Sequence, residues 1–183
     1  MPVARILILY HGVYGHTRKI CDAINAELGR IGEPADLVPV TEWDTKEADR
    51  YETIVIGAAI RNGKHNRAVI EFIRTHQALL EAKKNAFFSV NLVARKPAKN
   101  TPETNPYVKA FLQRSPWAPQ LVGVFAGNLD YQRYGAMDRH IIRFIMRLTG
   151  GPTDLQTKVE FTDWDKVRSF AGQLAELSRA AKA

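Results

Sequence analysis

A short loop near the start of the chain carries the residue types that can hold a phosphate. Its two glycines let backbone N–H groups turn toward an anion, the following helix N-terminus adds partial positive charge, and Thr17 adds a hydroxyl donor. Because no lysine follows Gly15 and the three-glycine spacing of the dinucleotide fingerprint is missing, a monophosphate is the better fit. The alternative is a tight strand-to-helix turn with no ligand. The residues of this loop are His11, Gly12, Val13, Tyr14, Gly15, His16 and Thr17.

A second group with chemical potential is a row of arginines late in the chain. Arg139, Arg143 and Arg147 are spaced by four, and they predict one basic stripe on a helix over residues 137–148, opposite apolar residues that include Phe144 and Leu148. Such a helix can lie in a lipid headgroup layer with its arginines on anionic lipid. The same guanidinium groups could instead bind substrate carboxylates, or the helix could pack on the body of the protein with its apolar face buried.

The elements that must position these groups follow from the hydrophobic pattern. Apolar runs too short for helices alternate with segments of helical period, which indicates βαβ units and a mainly parallel sheet, with ligands beyond the carboxyl ends of the strands. The predicted strands are residues 6–10, 35–40, 53–60, 86–93 and 121–126. The predicted helices are one that contains Ile20, Ile24 and Leu28 and closes near residues 29–32, and others at about 67–80, 107–114 and 165–178.

The connection between the fifth strand and the last helix is far longer than the usual connection of about 2 to 6 residues. We therefore predict an insertion over residues 128–163 that contains the basic amphipathic helix, with residues 149–152 as its stop signal. Long insertions usually carry function. No repeat or linker divides the chain, so we expect a single domain over residues 1–183.

Composition and charge limit the classes of function. The chain has 183 residues, a net charge of +7 and a pI near 9.6, which favours an anionic partner such as a lipid surface, an acidic ligand or nucleic acid. Residues 91–151 hold six of the seven net positive charges. The single cysteine, Cys21, favours a reducing compartment, and no apolar run reaches the roughly 18 residues of a membrane span. The five histidines show no metal-ligand spacing, so we expect no metal site.

The run at residues 8–10, the loop after it and Thr17 resemble the flavodoxin signature, in which this loop holds the phosphate of flavin mononucleotide (FMN). In one respect the sequence departs from that signature, because Gly12 stands where flavodoxins usually carry serine or threonine. His11 and His16 are the side chains available to compensate for the missing hydroxyl.

A sharper resemblance spans nearly the whole chain. Residues 89–97, 101–102 and 104–105 are similar to a flavin-side loop of the bacterial quinone-dependent protoporphyrinogen dehydrogenases, which are flavodoxin-like enzymes. The similarity continues through residues 126–127, 131, 133–134, 138–139, 145–146, 150–151, 153–154 and 162–164. A long insertion is also a feature of that family.

This resemblance implies an FMN-dependent oxidation of protoporphyrinogen IX to protoporphyrin IX in heme biosynthesis, with a membrane quinone as acceptor, at the cytoplasmic face of the inner membrane. It implies a doubly wound parallel sheet of five strands in the order 2-1-3-4-5, with the insertion after or within the fifth strand. Tyr131 or Tyr134 would be able to stack on the flavin ring. No catalytic side chain is assigned. The residues expected around the ring are Ala59, Ile60, Arg61, Asn62, Gly63, Ser89, Val90, Asn91, Leu92, Gly127, Asn128, Leu129 and Tyr131.

Other functions fit the sequence less well. Electron-carrier flavodoxins resemble acidic proteins, whereas this chain is basic, and the third strand lacks the carboxylate of a phosphoacceptor domain. The basic residues match no known nucleic-acid-binding motif, so we expect no nucleic acid. A flavodoxin-like NAD(P)H:quinone reductase stays open as the main alternative, and a homo-oligomer is compatible with the sequence.

Overall fold

The computed structural model describes residues 5–180, along which strands and helices alternate. The strands are β1 (Ile6–His11), β2 (Ala35–Pro39), β3 (Thr53–Arg61), β4 (Lys64–His65), β5 (Lys84–Val90), β6 (Leu121–Phe125), β7 (Asn128–Asp130) and β8 (Lys158–Glu160). The α-helices are α1 (His16–Ile31), α2 (Arg67–Thr75), α3 (Gln77–Glu81), α4 (Pro106–Arg114), α5 (Ala136–Thr149) and α6 (Trp164–Ala180). Short 3₁₀ helices span Thr45–Arg50, Leu92–Arg95 and Pro97–Lys99.

The main sheet has five parallel strands in the order β2-β1-β3-β5-β6. Counting only these strands, the order is the predicted 2-1-3-4-5, which is confirmed. In the sheet, β2 lies on one side of β1 and β3 lies on the other side. A crevice therefore opens beyond the carboxyl ends of β1 and β3, where an open α/β sheet binds its ligands.

The central strand explains why helices cover both faces of the sheet. Successive side chains of a strand point to opposite faces, and the continuous apolar run of β1 buries both sets. Ile6 and Ile8 pack with α1 and α6, whereas Leu7 and Leu9 pack with α2, α3 and α4. All four side chains are fully buried. Helices therefore pack on both faces of the sheet and fix the strands whose loops meet at the carboxyl edge.

A small hairpin extends the end of β3. Asn62 and Gly63 both have positive φ, 52° and 78°, and they connect β3 to the antiparallel β4. An Asn-Gly pair is the strongest short-range signal for such a two-residue hairpin. The strand prediction treated this stretch as a polar strand end, so β4 was missed although the sequence carried its signal.

Two predicted boundaries were wrong. The strand expected at residues 86–93 is Lys84–Val90, because the Asn91 side chain accepts a hydrogen bond from the Ala94 N–H at 3.0 Å and starts a 3₁₀ helix there. The single helix expected at about residues 67–80 is two helices, α2 and α3. They meet at His76, whose φ and ψ of −114° and 23° are not helical. The apolar residues of both helices pack on the sheet, so the helical spacing of apolar residues continues across the break.

The insertion begins and ends in a second, two-stranded sheet. β7 and β8 pair antiparallel, with Asn128 opposite Glu160 and Asp130 opposite Lys158. Between them lies α5, which extends the helix predicted at residues 137–148 by one residue at each end and stops at Gly150, whose φ is +68°. The helix prediction is confirmed, whereas β7 and β8 were not predicted because three-residue strands leave almost no periodicity.

Candidate active site

Four loops converge on one cavity at the carboxyl edge of the main sheet. The cavity follows β1, β3, β5 and β6, has a volume of about 140 Å³, and is closed on one side by α5. Most residues that the sequence analysis proposed for the cofactor meet here. They are His11, Gly12, Val13, Tyr14, His16, Thr17, Ala59, Ile60, Arg61, Asn62, Gly63, Val90, Asn91, Leu92, Gly127 and Asn128.

Four of the proposed residues do not line the cavity. Gly15 forms the turn before α1 with a φ of +85°, and Ser89 and Leu129 are fully buried. Tyr131 is fully buried as well, and its hydroxyl donates to the carbonyl of Pro152 at 2.7 Å. Of the two tyrosines considered for ring stacking, Tyr134 is therefore the one that lines the cavity.

Several lining residues come from parts of the chain that sequence reasoning did not assign to the site. The insertion contributes most of them, on the side of α5 next to its exposed apolar stripe. The amphipathic pattern of α5 was the available signal, although it could not show which element the helix would face. The additional lining residues are Asn66, Val93, Tyr107, Asp138, Ile141, Ile142 and Ile145.

The N-terminus of α1 points its backbone toward the cavity. The helix begins after Gly15. Its first N–H groups have no acceptor within the helix, as at any helix start, and no side chain caps them. Such an end is an anion site, because free N–H groups and the helix dipole both favour negative charge. The first turn also supplies the buried hydroxyl of Thr17. This arrangement fits a phosphate group.

The space around position 12 explains why it holds a glycine. A Cβ atom at this position would lie 2.6 Å from Oγ1 and 2.7 Å from Cβ of Thr17, which is closer than real Cβ contacts allow. The Thr17 side chain therefore fills the space that a serine or threonine at position 12 would need.

Burial favours the neutral form of the two histidines in this loop, because it lowers the pKa of His11 and of His16. The Thr162 hydroxyl donates to the Ala126 carbonyl at 2.7 Å, so Thr162 Oγ1 accepts from His16 Nε2–H, also at 2.7 Å. His16 thus carries its proton on Nε2 and ties α1 to the far end of the insertion. The N–H groups of the first turn of α1 and the Thr17 hydroxyl are thus the neutral donors that this loop offers.

A buried carboxylate joins three elements across the mouth of the cavity. Asp138, in the first turn of α5, accepts one hydrogen bond from the Tyr14 hydroxyl and one from Arg61 Nε at 2.9 Å, and Arg61 Nη2 lies 2.8 Å from the same carboxylate oxygen in an ion pair. The Tyr14 hydrogen bond, with Arg61, lowers the pKa of Asp138. We call these three residues the clasp. Ligand pockets usually measure about 300–1,000 Å³, so with the clasp closed the cavity is smaller than a typical ligand needs.

A buried polar network supports the wall that follows β5. Asn91 Nδ2 donates to Ser89 Oγ at 3.1 Å, and Asn105 Nδ2 donates to Asn91 Oδ1 at 3.0 Å. Asn105 also caps α4 by accepting from the N–H groups of Tyr107 and Val108. A fully satisfied buried network fixes its members in one arrangement. Asn91 is therefore held rigidly where it faces the cavity.

His65 completes this network and makes it sensitive to acid. Its Nε2 lies 3.0 Å from Ser89 Oγ, its ring packs edge-on against both Phe87 and Phe111, and burial lowers its pKa to about 4. Because the unfolded chain binds this proton near pH 6.5, the stabilisation is full above pH 6.5 and is lost between pH 6.5 and about 4. We expect His65 to account for about 3 kcal/mol of stability lost over that interval.

Urea unfolding at pH 7 and pH 4.5 measures this effect, with His65→Gln as the reference. Other groups titrate in the same window, so the informative quantity is the difference in pH dependence between the two proteins. A His65→Gln protein that loses as much stability as the parent would contradict the assignment.

Comparisons with known proteins agree with this architecture. A flavodoxin-domain family model matches residues 7–156. The Escherichia coli K12 protein named protoporphyrinogen IX dehydrogenase [quinone] is 42% identical over 174 residues, which cover 95% of this chain and 96% of that protein. A Leishmania major protein of the same name is 44% identical over 177 residues, covering 96% of this chain and 77% of the relative.

Solved structures show the fold alone. Oxidised flavodoxin 1 of Bacillus cereus superposes with a TM-score of 0.54 at 15% identity, over 93% of this chain and 97% of the flavodoxin. The sequence identity to the enzymes is much higher and extends through the insertion. The chain belongs to the family of the protoporphyrinogen IX dehydrogenases of the quinone type, which are oxidoreductases built on a flavodoxin domain.

Proposed function

We propose that this protein binds FMN in the cavity at the carboxyl edge of the sheet and oxidises protoporphyrinogen IX to protoporphyrin IX, with a membrane quinone as acceptor. The observation that carries the proposal is the convergence of four loops and the free N-terminus of α1 at the crevice between β1 and β3. The names of the enzymes that share 42% and 44% identity support the substrate and the acceptor.

The types of residue present fit a flavin with one phosphate, although the cavity of about 140 Å³ would have to widen to admit it. The N–H groups of the first turn of α1 and the Thr17 hydroxyl would hold the phosphate, and the loops after β3 and β5 would enclose the ring. Bound FMN supplies the capacity to take up electrons from the porphyrinogen and pass them to the quinone. The rigid Asn91 and the ring of Tyr134 would orient the flavin, and the apolar side of α5 would exclude water.

The reaction removes six electrons and six protons from each porphyrinogen and reduces three quinones to quinols. Turnover therefore requires two reactants to reach the same cavity in succession. The clasp would have to open for this, since it closes the mouth on the side of α5. On opening, the exposed Arg61 side chain would move into water, whereas the buried Asp138 carboxylate would keep the Tyr14 hydroxyl as its hydrogen-bond donor.

The test is an anaerobic assay of the FMN-loaded protein, following porphyrin fluorescence from protoporphyrinogen with and without added quinone. Quinone-dependent fluorescence establishes substrate, acceptor and reaction together. Absence of fluorescence, together with flavin reduction by NADPH, would replace the proposal with an NAD(P)H:quinone reductase.

We also propose that the protein is peripheral, on the cytoplasmic face of the inner membrane, and that α5 contacts the lipid. No helix within residues 5–180 is long and apolar enough to cross a membrane. On α5, Met137, Phe144 and Leu148 share one face and are 74%, 62% and 70% exposed. Another face of the helix is buried, at Asp138 and Met146. The helix thus packs on the body while its apolar stripe stays open.

The basic stripe is only partly available to lipid. Arg139 donates to the carbonyls of Tyr131 and Tyr134, and Arg143 donates to the carbonyl of Thr153 at 2.9 Å. Arg147 is exposed and borders a surface groove with Phe144. Replacing all three arginines would therefore disturb the insertion, and the apolar stripe offers the cleaner experiment.

Leu148→Ser is expected to weaken binding to vesicles of phosphatidylglycerol and phosphatidylethanolamine about tenfold, because burying a leucine contributes about 1.5–3 kcal/mol. Co-sedimentation measures the bound fraction. The matched control is Leu155→Ser, which makes the same change in the insertion but outside α5. Equal binding of the Leu148→Ser protein and the parent would remove α5 from the membrane contact.

A further inference from the structure

A second cavity opens beside the first, between the β3–β4 hairpin, α2 and α4. Its volume is about 580 Å³, within the usual range for ligand sites. We call it the basic cleft. It shares six lining residues with the first cavity, so the two form one continuous depression. The shared residues are Ile60, Arg61, Asn62, Gly63, Asn66 and Tyr107.

The basic cleft concentrates positive charge. Its lining includes five cations and no aspartate or glutamate, the cations being Arg61, Lys64, Arg67, Arg74 and Arg114. Two of these have partners outside the lining, since Arg61 pairs with Asp138 and Arg67 pairs with Glu71 at 2.6 Å. The other three form no ion pair or hydrogen bond through their side chains with any residue between 5 and 180. Such a cluster lacks its counter-charge, and a bound carboxylate would supply it.

The floor of the cleft is apolar. Ile70 and Ile73 of α2 and Phe111 of α4 line it, and Ile73 and Phe111 are buried. An apolar floor with a cationic rim suits a ligand that is itself apolar with carboxylates at its edge. A purely polar anion would leave the floor unused.

The unpaired arginines lie at a defined distance from the shared rim. Arg74 follows Arg67 by seven residues on α2, and Arg114 follows Tyr107 by seven on α4. Seven residues make two helical turns, about 10 Å. Both helices begin beside the rim, so both arginines are placed about two turns away from it, one on each wall.

We propose that the basic cleft binds the porphyrinogen, with its propionate carboxylates on Arg74 and Arg114 and its apolar macrocycle extending to the rim shared with the first cavity. The inference rests on the proposed function and adds the place where the substrate lies. Arg74 and Arg114 are binding residues remote from the reacting atoms. Their loss should raise KM and leave kcat nearly unchanged, since such contacts hold substrate and transition state equally.

The test uses the full chain carrying Arg74→Gln and Arg114→Gln. Binding is titrated with protoporphyrin IX and with its dimethyl ester, which lacks both charges, and turnover is measured with protoporphyrinogen. We expect the double variant to bind protoporphyrin IX at least tenfold more weakly than the parent, with a similar rise in KM. The ester should bind both proteins equally. The control is Arg30→Gln with Arg168→Gln, which removes the same net charge from exposed positions on α1 and α6.

The binding and turnover measurements separate the two proposals. If the parent binds protoporphyrin IX through these arginines without oxidising protoporphyrinogen, the proposed function fails and the cleft stands. If the parent turns over but the double variant keeps the parent's Kd and KM, the cleft is wrong and the function stands. Equal weakening in the control variant would also overturn the proposal, because net charge would then explain the effect.

Discussion

Gly57→Ala is expected to lower the free energy of unfolding by about 3 kcal/mol, at the upper end of typical overpacking costs. Gly57 lies opposite Phe88 in the register of β3 and β5, and a Cβ atom there would be 2.2 Å from Cζ of that ring. The ring cannot move aside, because it is fully buried against Phe125 and Phe170. Urea denaturation followed by circular dichroism measures the loss.

A second substitution checks the cause. Phe88→Leu removes the ring atoms that the new methyl group meets, so the double variant should be at least 1 kcal/mol more stable than the sum of the single changes predicts. Gly172→Ala, in the middle of α6 with no atom within 4 Å of the new Cβ, is the control. It should stabilise the protein by about 0.5–1 kcal/mol. If the free energy of unfolding of Gly57→Ala were within 0.5 kcal/mol of the parent's, the strands would be able to shift and accommodate the methyl group, and the prediction would be wrong.

Gly12→Ser is expected to weaken FMN binding about 30-fold, although it introduces the residue type that flavodoxins usually carry there. The new side chain would overlap Thr17 and distort the first turn of α1 at a cost of about 2 kcal/mol. Titration of the apoprotein with FMN, followed by quenching of flavin fluorescence, gives the Kd without any turnover.

Moving the hydroxyl from position 17 to position 12 should restore the affinity for FMN. In Gly12→Ser with Thr17→Ala the serine occupies the space that Thr17 leaves, so we expect a Kd within about threefold of the parent. Thr17→Ala alone loses one hydroxyl donor and should weaken binding about fivefold, corresponding to about 1 kcal/mol. A Gly12→Ser protein that binds FMN as tightly as the parent would refute the steric argument, as would a double variant weaker than either single one.

Local pattern was enough to predict a parallel α/β sheet and the loops at its edge. The apolar run at residues 6–10 predicts a strand buried on both faces, whereas the order of the strands is what the resemblance to the flavodoxin-like enzymes implies. Once the strands are placed, the loops at their carboxyl ends must share one edge. This is why most of the residues proposed for the cofactor line one cavity.

Long-range contacts could not be predicted in this way. Asp138 is separated from Tyr14 by 124 residues, and nothing in the local sequence of α5 indicates that a buried carboxylate will meet a tyrosine and an arginine from two other loops. The basic cleft was missed for a related reason. Its two unpaired arginines, Arg74 and Arg114, lie on α2 and α4, where each one alone is typical of a solvated helix surface.

The short β7–β8 sheet makes the insertion a removable unit. Asn128 and Glu160 are directly paired, and the Phe161 N–H donates to the Gly127 carbonyl at 3.1 Å. The insertion therefore begins and ends at neighbouring points beside the main sheet. A segment whose two ends are neighbours can be gained or lost in evolution without changing the register of any parallel strand. The segment that covers the cavity can therefore differ in length without moving any strand of the sheet beneath it.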